Sequence, residues 1–146
     1  YVQYTYARAA SVLRKTGLTE VGEIDPSLIT DPTSVALLKE IEKFPEAVKT
    51  AADRLEPSVV SRYVMGVAQA FNRFYHENQC NVEDENLMKA RVKLVILAKN
   101  IISDALELLG IQCMKKQQSA ADEKYCKAEF FLYGISKNVS RETFFE

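Results

Sequence analysis

Apolar residues recur at steps of three and four in five separate stretches of this chain, and no stretch alternates apolar with polar positions in the manner of a strand. Val2, Tyr6, Ala9 and Leu13 predict a first helix over residues 1–16, closed by Gly17. Residues 17–34 hold two glycines and two prolines and predict a surface connection, with one short turn around Ser27 to Ile29. Thr33 or Ser34 then caps a helix carrying Val35, Leu38, Ile41 and Phe44. Pro45, which lacks an amide hydrogen, breaks that helix or opens the next one at its first turn. The third stretch sets Val48, Ala51, Ala52 and Leu55 on one side and ends at Glu56-Pro57. A fourth helix over 57–79 has the core stripe Val60, Tyr63, Val64, Val67, Phe71 and Phe74, with Tyr75 just beside it. After a polar turn at 80–86, Asn86 or Glu85 caps a fifth helix that runs to about residue 109, where Gly110 stops it. Its stripe, Leu87, Ala90, Leu94, Leu97, Ile101, Ala105 and Leu108, is widened by Val95, Ala98 and Ile102, which predicts a central place in the core. The expected fold is therefore all-α, an antiparallel bundle of about five helices. Tyr125, Ala128, Phe131 and Leu132 give residues 119–133 the spacing for one extra C-terminal helix, while Phe144-Phe145 fits no element.

The first helix carries a second stripe beside its apolar one. Tyr1, Tyr4, Arg8, Ser11 and Lys15 fall at steps of three and four, so phenols, a guanidinium, a hydroxyl and an ammonium share one side. Aromatic faces stack on unpaired bases and cations meet phosphates, so this side suits RNA. The same spacing also describes an exposed helix edge with half-buried tyrosines and solvated cations, and pattern alone leaves both readings open.

Charge sharpens the first of these. The 146 residues have a net charge of −1, which argues against diffuse nucleic-acid binding by a basic surface. The distribution is uneven, however: residues 1–16 carry Arg8, Arg14 and Lys15 and no acid, whereas residues 17–56 carry nine acids against four bases. Such asymmetry suits one oriented RNA contact. Hydrophobic residues at 47% and charged residues at 27% describe an ordinary globular domain of a size that buries one core. No run of eighteen apolar residues and no secretory pattern is present in these residues. The first residue is not methionine and already lies within a predicted helix, as expected of a piece of a longer protein.

Catalytic constellations are missing. The sequence has no glycine-rich phosphate loop, nucleophile elbow or His-Glu-x-x-His, so no catalytic residue is assigned. Cys80, Cys113 and Cys126 are odd in number and far apart, which suits a reducing compartment and neither a disulfide framework nor a zinc site. The lone His76 has no second histidine to share a metal. Glu83-Asp84-Glu85 is read as an acidic turn favouring a helix start, with no metal expected.

Several motifs in order resemble one family. Tyr1-Val2-Gln3-Tyr4-Thr5-Tyr6-Ala7-Arg8 resembles the Tyr-x-Gln-Tyr-x-His-x-Arg helix that opens the anticodon-binding (DALR-type) domain of arginyl-tRNA synthetases, with Tyr6 in the histidine's place. Phe44-Pro45-Glu46, Ala51-Ala52, Glu56-Pro57, Phe71-Asn72-x-Phe74-Tyr75, Ala90-Arg91-Val92 and Leu108-Leu109-Gly110-Ile111 follow in the family's order. The resemblance covers residues 1 to about 111, roughly three quarters of the chain. It implies a helical anticodon-binding domain over 1–117, a C-terminal extension of unassigned role over 118–146, and a cytoplasmic parent enzyme. That parent would join arginine to its tRNA with ATP and magnesium in a separate class I catalytic domain; this chain itself would hold no cofactor. The implied partners are the anticodon loop of arginine tRNA and the parent's catalytic domain, with no role for DNA or a membrane. Carried over by motif, Tyr1, Gln3, Tyr4 and Arg8 belong to the loop-contacting helix, and Phe71 and Tyr75 supply stacking or shape. Arg91 holds a phosphate or bridges helices. The family's closing Leu-Gly-x-x-Pro-x-x-Met departs here: Cys113 replaces the proline and Gln117 the methionine, and Met114 would substitute only with a shifted backbone. Two other readings remain, the anticodon-binding domain of a cysteinyl or glycyl enzyme and a helical protein-interaction module.

Overall fold

In a computed structural model of the protein, residues 1–80 and 82–113 are described. They form five helices and no strand: α1 (Val2–Thr16), α2 (Pro32–Glu42), α3 (Phe44–Arg54), α4 (Ser58–Glu77) and α5 (Glu85–Leu108). A short 3-10 turn, Pro26–Leu28, interrupts the α1–α2 connection where a turn was expected. The expected extra helix at 119–133, the aromatic pair Phe144-Phe145, Met114 and Gln117 lie outside the described residues.

The helix ends follow from local chemistry. Gly17 takes the left-handed conformation at φ 70°, and its amide donates to the Leu13 carbonyl, which stops α1. Gly110 does the same after α5 at φ 73°, with the Ile111 amide returning to the Leu106 carbonyl. Pro45 sits in the first turn of α3, where its missing amide hydrogen costs nothing. Both expected caps move one to three residues upstream. Asp31, rather than Thr33 or Ser34, caps α2 by accepting from the Ser34 amide at 2.9 Å, because Pro32 already has the φ that a first helical residue needs. Asp84, rather than Glu85 or Asn86, caps α5 through the amides of Asn86 and Leu87.

Two clusters of buried side chains define how the helices run. One joins Val2 of α1, Val60, Val64 and Val67 of α4, and Ile102, Ala105 and Leu106 of α5. The other joins Val12 and Leu13, Phe71 and Phe74, and Val92, Leu94 and Val95, together with Leu37 and Ile41 of α2. The starts of α1 and α4 thus meet the end of α5, so α1 and α4 lie parallel and α5 runs antiparallel to both. The Ile102, Ala98, Val95 and Val92 line of α5 is fully buried, which bears out its central place.

On four helices some residues depart from their expected positions. On α2, Leu37 is the fully buried residue while Val35 and Leu38 are only partly covered. Tyr6 is also only partly buried, and the inner face of α1 includes Thr5, Ala7 and Val12. Leu108 is 58% exposed and Leu55 is 88% exposed, since Leu55 swings outward in a left-handed conformation at φ 54° to end α3. Helix α3 buries no residue fully and packs mainly on α4, where Phe44 meets Tyr63 with ring centroids 5.7 Å apart. The Tyr63 hydroxyl donates to the Glu40 carbonyl at 2.9 Å, tying α4 to α2, and burial pushes this phenol's pKa well up.

Candidate nucleic-acid interface

The parallel run of α1 and α4 sets Tyr4 and Arg8 beside Asn72 and Tyr75. Arg8 lies at the centre. Its guanidinium carbon sits over the Tyr4 ring at 4.7 Å and over the Tyr75 ring at 5.2 Å, so the cation contacts two electron-rich aromatic surfaces. One terminal nitrogen donates to Asn72 Oδ1 and the other to the Tyr4 hydroxyl at 3.1 Å. Beside these groups is a shallow depression of about 170 Å³ lined by Tyr4, Arg8, Ser11, Val12, Lys15 and Tyr75. Small-molecule clefts usually enclose roughly 300–1,000 Å³, so this hollow is small for a metabolite and shaped as a platform for part of something larger. Its lining is cationic and aromatic, and α1 carries no acid in its first turn.

Below the platform is a buried polar network. Asn72 is 8% exposed. Its amide nitrogen donates to the Tyr1 hydroxyl at 2.8 Å and to Thr5 Oγ1 at 3.0 Å, while Thr5 donates on to the Tyr1 carbonyl at 3.1 Å. Because Arg8 offers only donors, the Asn72 oxygen must face it, and the amide's orientation is thereby determined.

The sequence-derived residues do not all share this place. Tyr4, Arg8 and Tyr75 meet directly, and Tyr1 joins them through Asn72. Gln3 instead donates to the Gln112 carbonyl at 3.0 Å, holding the segment after α5 against α1. Phe71 is 0% exposed and sits in the core, so it has no surface to offer a base. Its ring stacks on Tyr75 at 6.4 Å and 21°, which helps to fix the tyrosine. Arg91 donates to the Gln79 carbonyl at 2.6 Å and braces the α4–α5 connection. Next to it the Cys80 thiol is raised by burial, with Arg91 opposing. Asn72 and Thr5 were not singled out from the sequence. A polar residue on the inward side of each of two predicted core helices was the available signal.

Other groups bear on chemistry. Tyr6, in the place of the related family's histidine, has its pKa raised by burial and, secondarily, by Cys113, so it stays neutral around pH 7. Among the described residues, no three His, Cys, Asp or Glu side chains gather as a metal site. In the acidic turn, Asp84 is occupied as a helix cap and Glu85 pairs with Lys89 at 2.6 Å. No described helix is long and apolar enough to cross a membrane.

Residues 2–116 match the DALR anticodon binding domain family. The chain belongs to that family. Among similar proteins, an arginine–tRNA ligase from Alkaliphilus metalliredigens is 43% identical over 116 residues, which is 80% of this chain and 20% of that protein. The arginine–tRNA ligase of Clostridioides difficile is 40% identical over the same share of each chain. The solved Thermus thermophilus arginyl-tRNA synthetase superposes with a TM-score of 0.71 at 34% identity, over 80% of this chain and 21% of that one. The chain thus spans about a fifth of the length of the relatives it matches. As a DALR domain it carries the Tyr4–Arg8–Tyr75 assembly within the matched span.

Proposed function

We propose that this DALR domain is the anticodon-recognition part of an arginyl-tRNA synthetase and that the Tyr4–Arg8–Tyr75 platform receives the anticodon loop. The observation that carries the reading is the guanidinium held between two tyrosines at a shallow cationic hollow, inside the span matching the family. An A-form stem hides its base edges in a deep, narrow groove, so sequence is read from unpaired loop bases, which stack on aromatic rings and on arginine planes. Tyr4 offers an aromatic surface, Arg8 a fixed cation beside it, Ser11 a hydroxyl, and Lys15 meets a phosphate at the edge of the hollow. The enzyme containing this domain ligates arginine to its tRNA in the cytoplasm, using ATP and magnesium in a catalytic domain elsewhere in the same protein. The work of this domain is to hold and orient the tRNA.

With few cations at the platform, binding should depend only weakly on salt, equivalent to about two or three phosphate contacts. The test is a titration of the 146-residue chain with the arginine anticodon stem-loop and with a stem-loop whose anticodon bases are substituted. Preference for the first supports the reading. Equal affinity for the two would remove it and favour a protein-interaction module.

A further inference from the structure

Arg8 cannot hold its place between two rings unaided. Its stem leaves α1 on the side facing α4, and a long cationic side chain at a wet surface samples many rotamers unless something fixes the head group. The fixing group here is Asn72. We infer that Asn72 is a positioning residue for RNA recognition, acting through Arg8; this rests on the reading of the platform given above.

Three features of the geometry support it. First, the hydrogen-bonding capacity of the Asn72 side chain is committed: both amide hydrogens go to α1, one to Tyr1 and one to Thr5, leaving the oxygen for Arg8. An amide anchored at two points presents its oxygen at one position. Second, the amide is buried, so water competes poorly for that oxygen, and a hydrogen bond from a cation to it is stronger than a neutral one. Third, Asn72 lies one residue after Phe71, which packs on Tyr75, so the same turn of α4 sets both the guanidinium and one of the rings it lies against. Thr5 is fully buried and acts as the anchor of the anchor: its hydroxyl accepts from Asn72 and donates to the Tyr1 carbonyl. The neutral amide also differs in kind from a carboxylate, because it orients Arg8 without cancelling the charge that RNA would meet.

A cycle of variants in the full 146-residue chain tests this, with stem-loop affinity and melting temperature measured on each. Asn72→Ala should weaken binding by about tenfold, the worth of one charge-assisted hydrogen bond turned into lost alignment. In an Arg8→Ala background the same substitution should cost no further affinity. Equal losses from Asn72→Ala in both backgrounds would show that it acts on stability or elsewhere in the interface, and would overturn the inference. Should Asn72→Ala melt below the assay temperature, Asn72→Asp gives the decision. The carboxylate keeps an acceptor facing Arg8, now accepting from the Tyr1 and Thr5 hydroxyls to which the amide donated, and neutralises the cation, so affinity should fall and the salt slope should become as shallow as that of Arg8→Ala. Wild-type affinity and slope in Asn72→Asp would refute the role. Failure of the wild-type chain to prefer the arginine stem-loop would instead refute the platform reading itself, so the two failures are distinguishable.

Discussion

Replacing Arg8 with alanine should destabilise the fold although the residue lies at the surface. The substitution leaves Asn72 Oδ1, on a side chain 8% exposed, without its donor. A buried acceptor stripped of its partner costs about 1–3 kcal/mol. Two ring contacts, at 4.7 and 5.2 Å, are lost as well, each worth about 0.5–1 kcal/mol at a partly exposed site. The hydrogen bond to the Tyr4 hydroxyl adds little, since that oxygen lies at the hollow and can turn to water. Together these give about 2–5 kcal/mol, and access of water to the emptied site favours the lower half of that range. For a domain of this size each kcal/mol moves the melting temperature by about 3–5 °C, so a drop of roughly 6–17 °C is expected. Arg8→Lys separates charge from shape: an ammonium restores the cation but not the fork that reaches Asn72 and Tyr4 together. It should recover less than half of the lost stability. Thermal unfolding followed by circular dichroism measures all three proteins, and a melting temperature for Arg8→Ala within about 1 °C of wild type would refute the stacked, hydrogen-bonded arrangement.

Other expectations follow from the same geometry. Tyr75→Ala should weaken stem-loop binding by about 0.5–1 kcal/mol, the worth of the ring contact that helps to hold Arg8, as read by fluorescence anisotropy. Phe71→Ala should act chiefly on stability, by about 3–5 kcal/mol in denaturant unfolding, because its ring is wholly in the core. Asp31 tests pH dependence: burial alone would raise its carboxyl, but bonds from Ser34, Thr33 and Asn78 outweigh that and hold it below the ordinary range. A depressed carboxyl stabilises the fold above the unfolded pKa and loses that contribution as pH falls through the folded one. Asp31→Asn keeps a capping oxygen and loses only the charge, so it should melt somewhat lower than wild type at pH 7, and the gap should begin to shrink below about pH 4 and vanish once pH is below the lowered folded pKa.

The five helices were legible because each apolar stripe is long and its ends carry strong punctuation, above all Gly17, Pro45 and Gly110. Details failed where several residues could do the same job. Asp31, Thr33 and Ser34 can all cap a helix, and the geometry imposed by Pro32 chose Asp31. Leu55 looked like a core residue by spacing, yet a helix must end somewhere, and the left-handed turn that ends α3 throws it into solvent. At the platform, Tyr4, Arg8 and Tyr75 were readable as chemistry, since cations and phenols at helical spacing stand out. The partnership of Arg8 with Asn72 was not readable, because it joins residues 64 positions apart and depends on the parallel packing of α1 with α4. Of the two roles that the motif implies for Phe71, stacking or shape, its full burial is compatible with shape alone: adjacent positions on a helix point about 100° apart, and a pattern of aromatics cannot say which one faces water.

The most direct test of the central claim is to map the RNA footprint on the protein. Titrating the isotopically labelled 146-residue chain with the arginine anticodon stem-loop and following amide and arginine side-chain resonances locates the contact without any substitution. The account predicts the largest shifts at Tyr4, Arg8, Ser11, Lys15 and Tyr75, with the Arg8 guanidinium signals moving most. Shifts centred on α3 and Leu55, with the Arg8 signals unmoved, would contradict it.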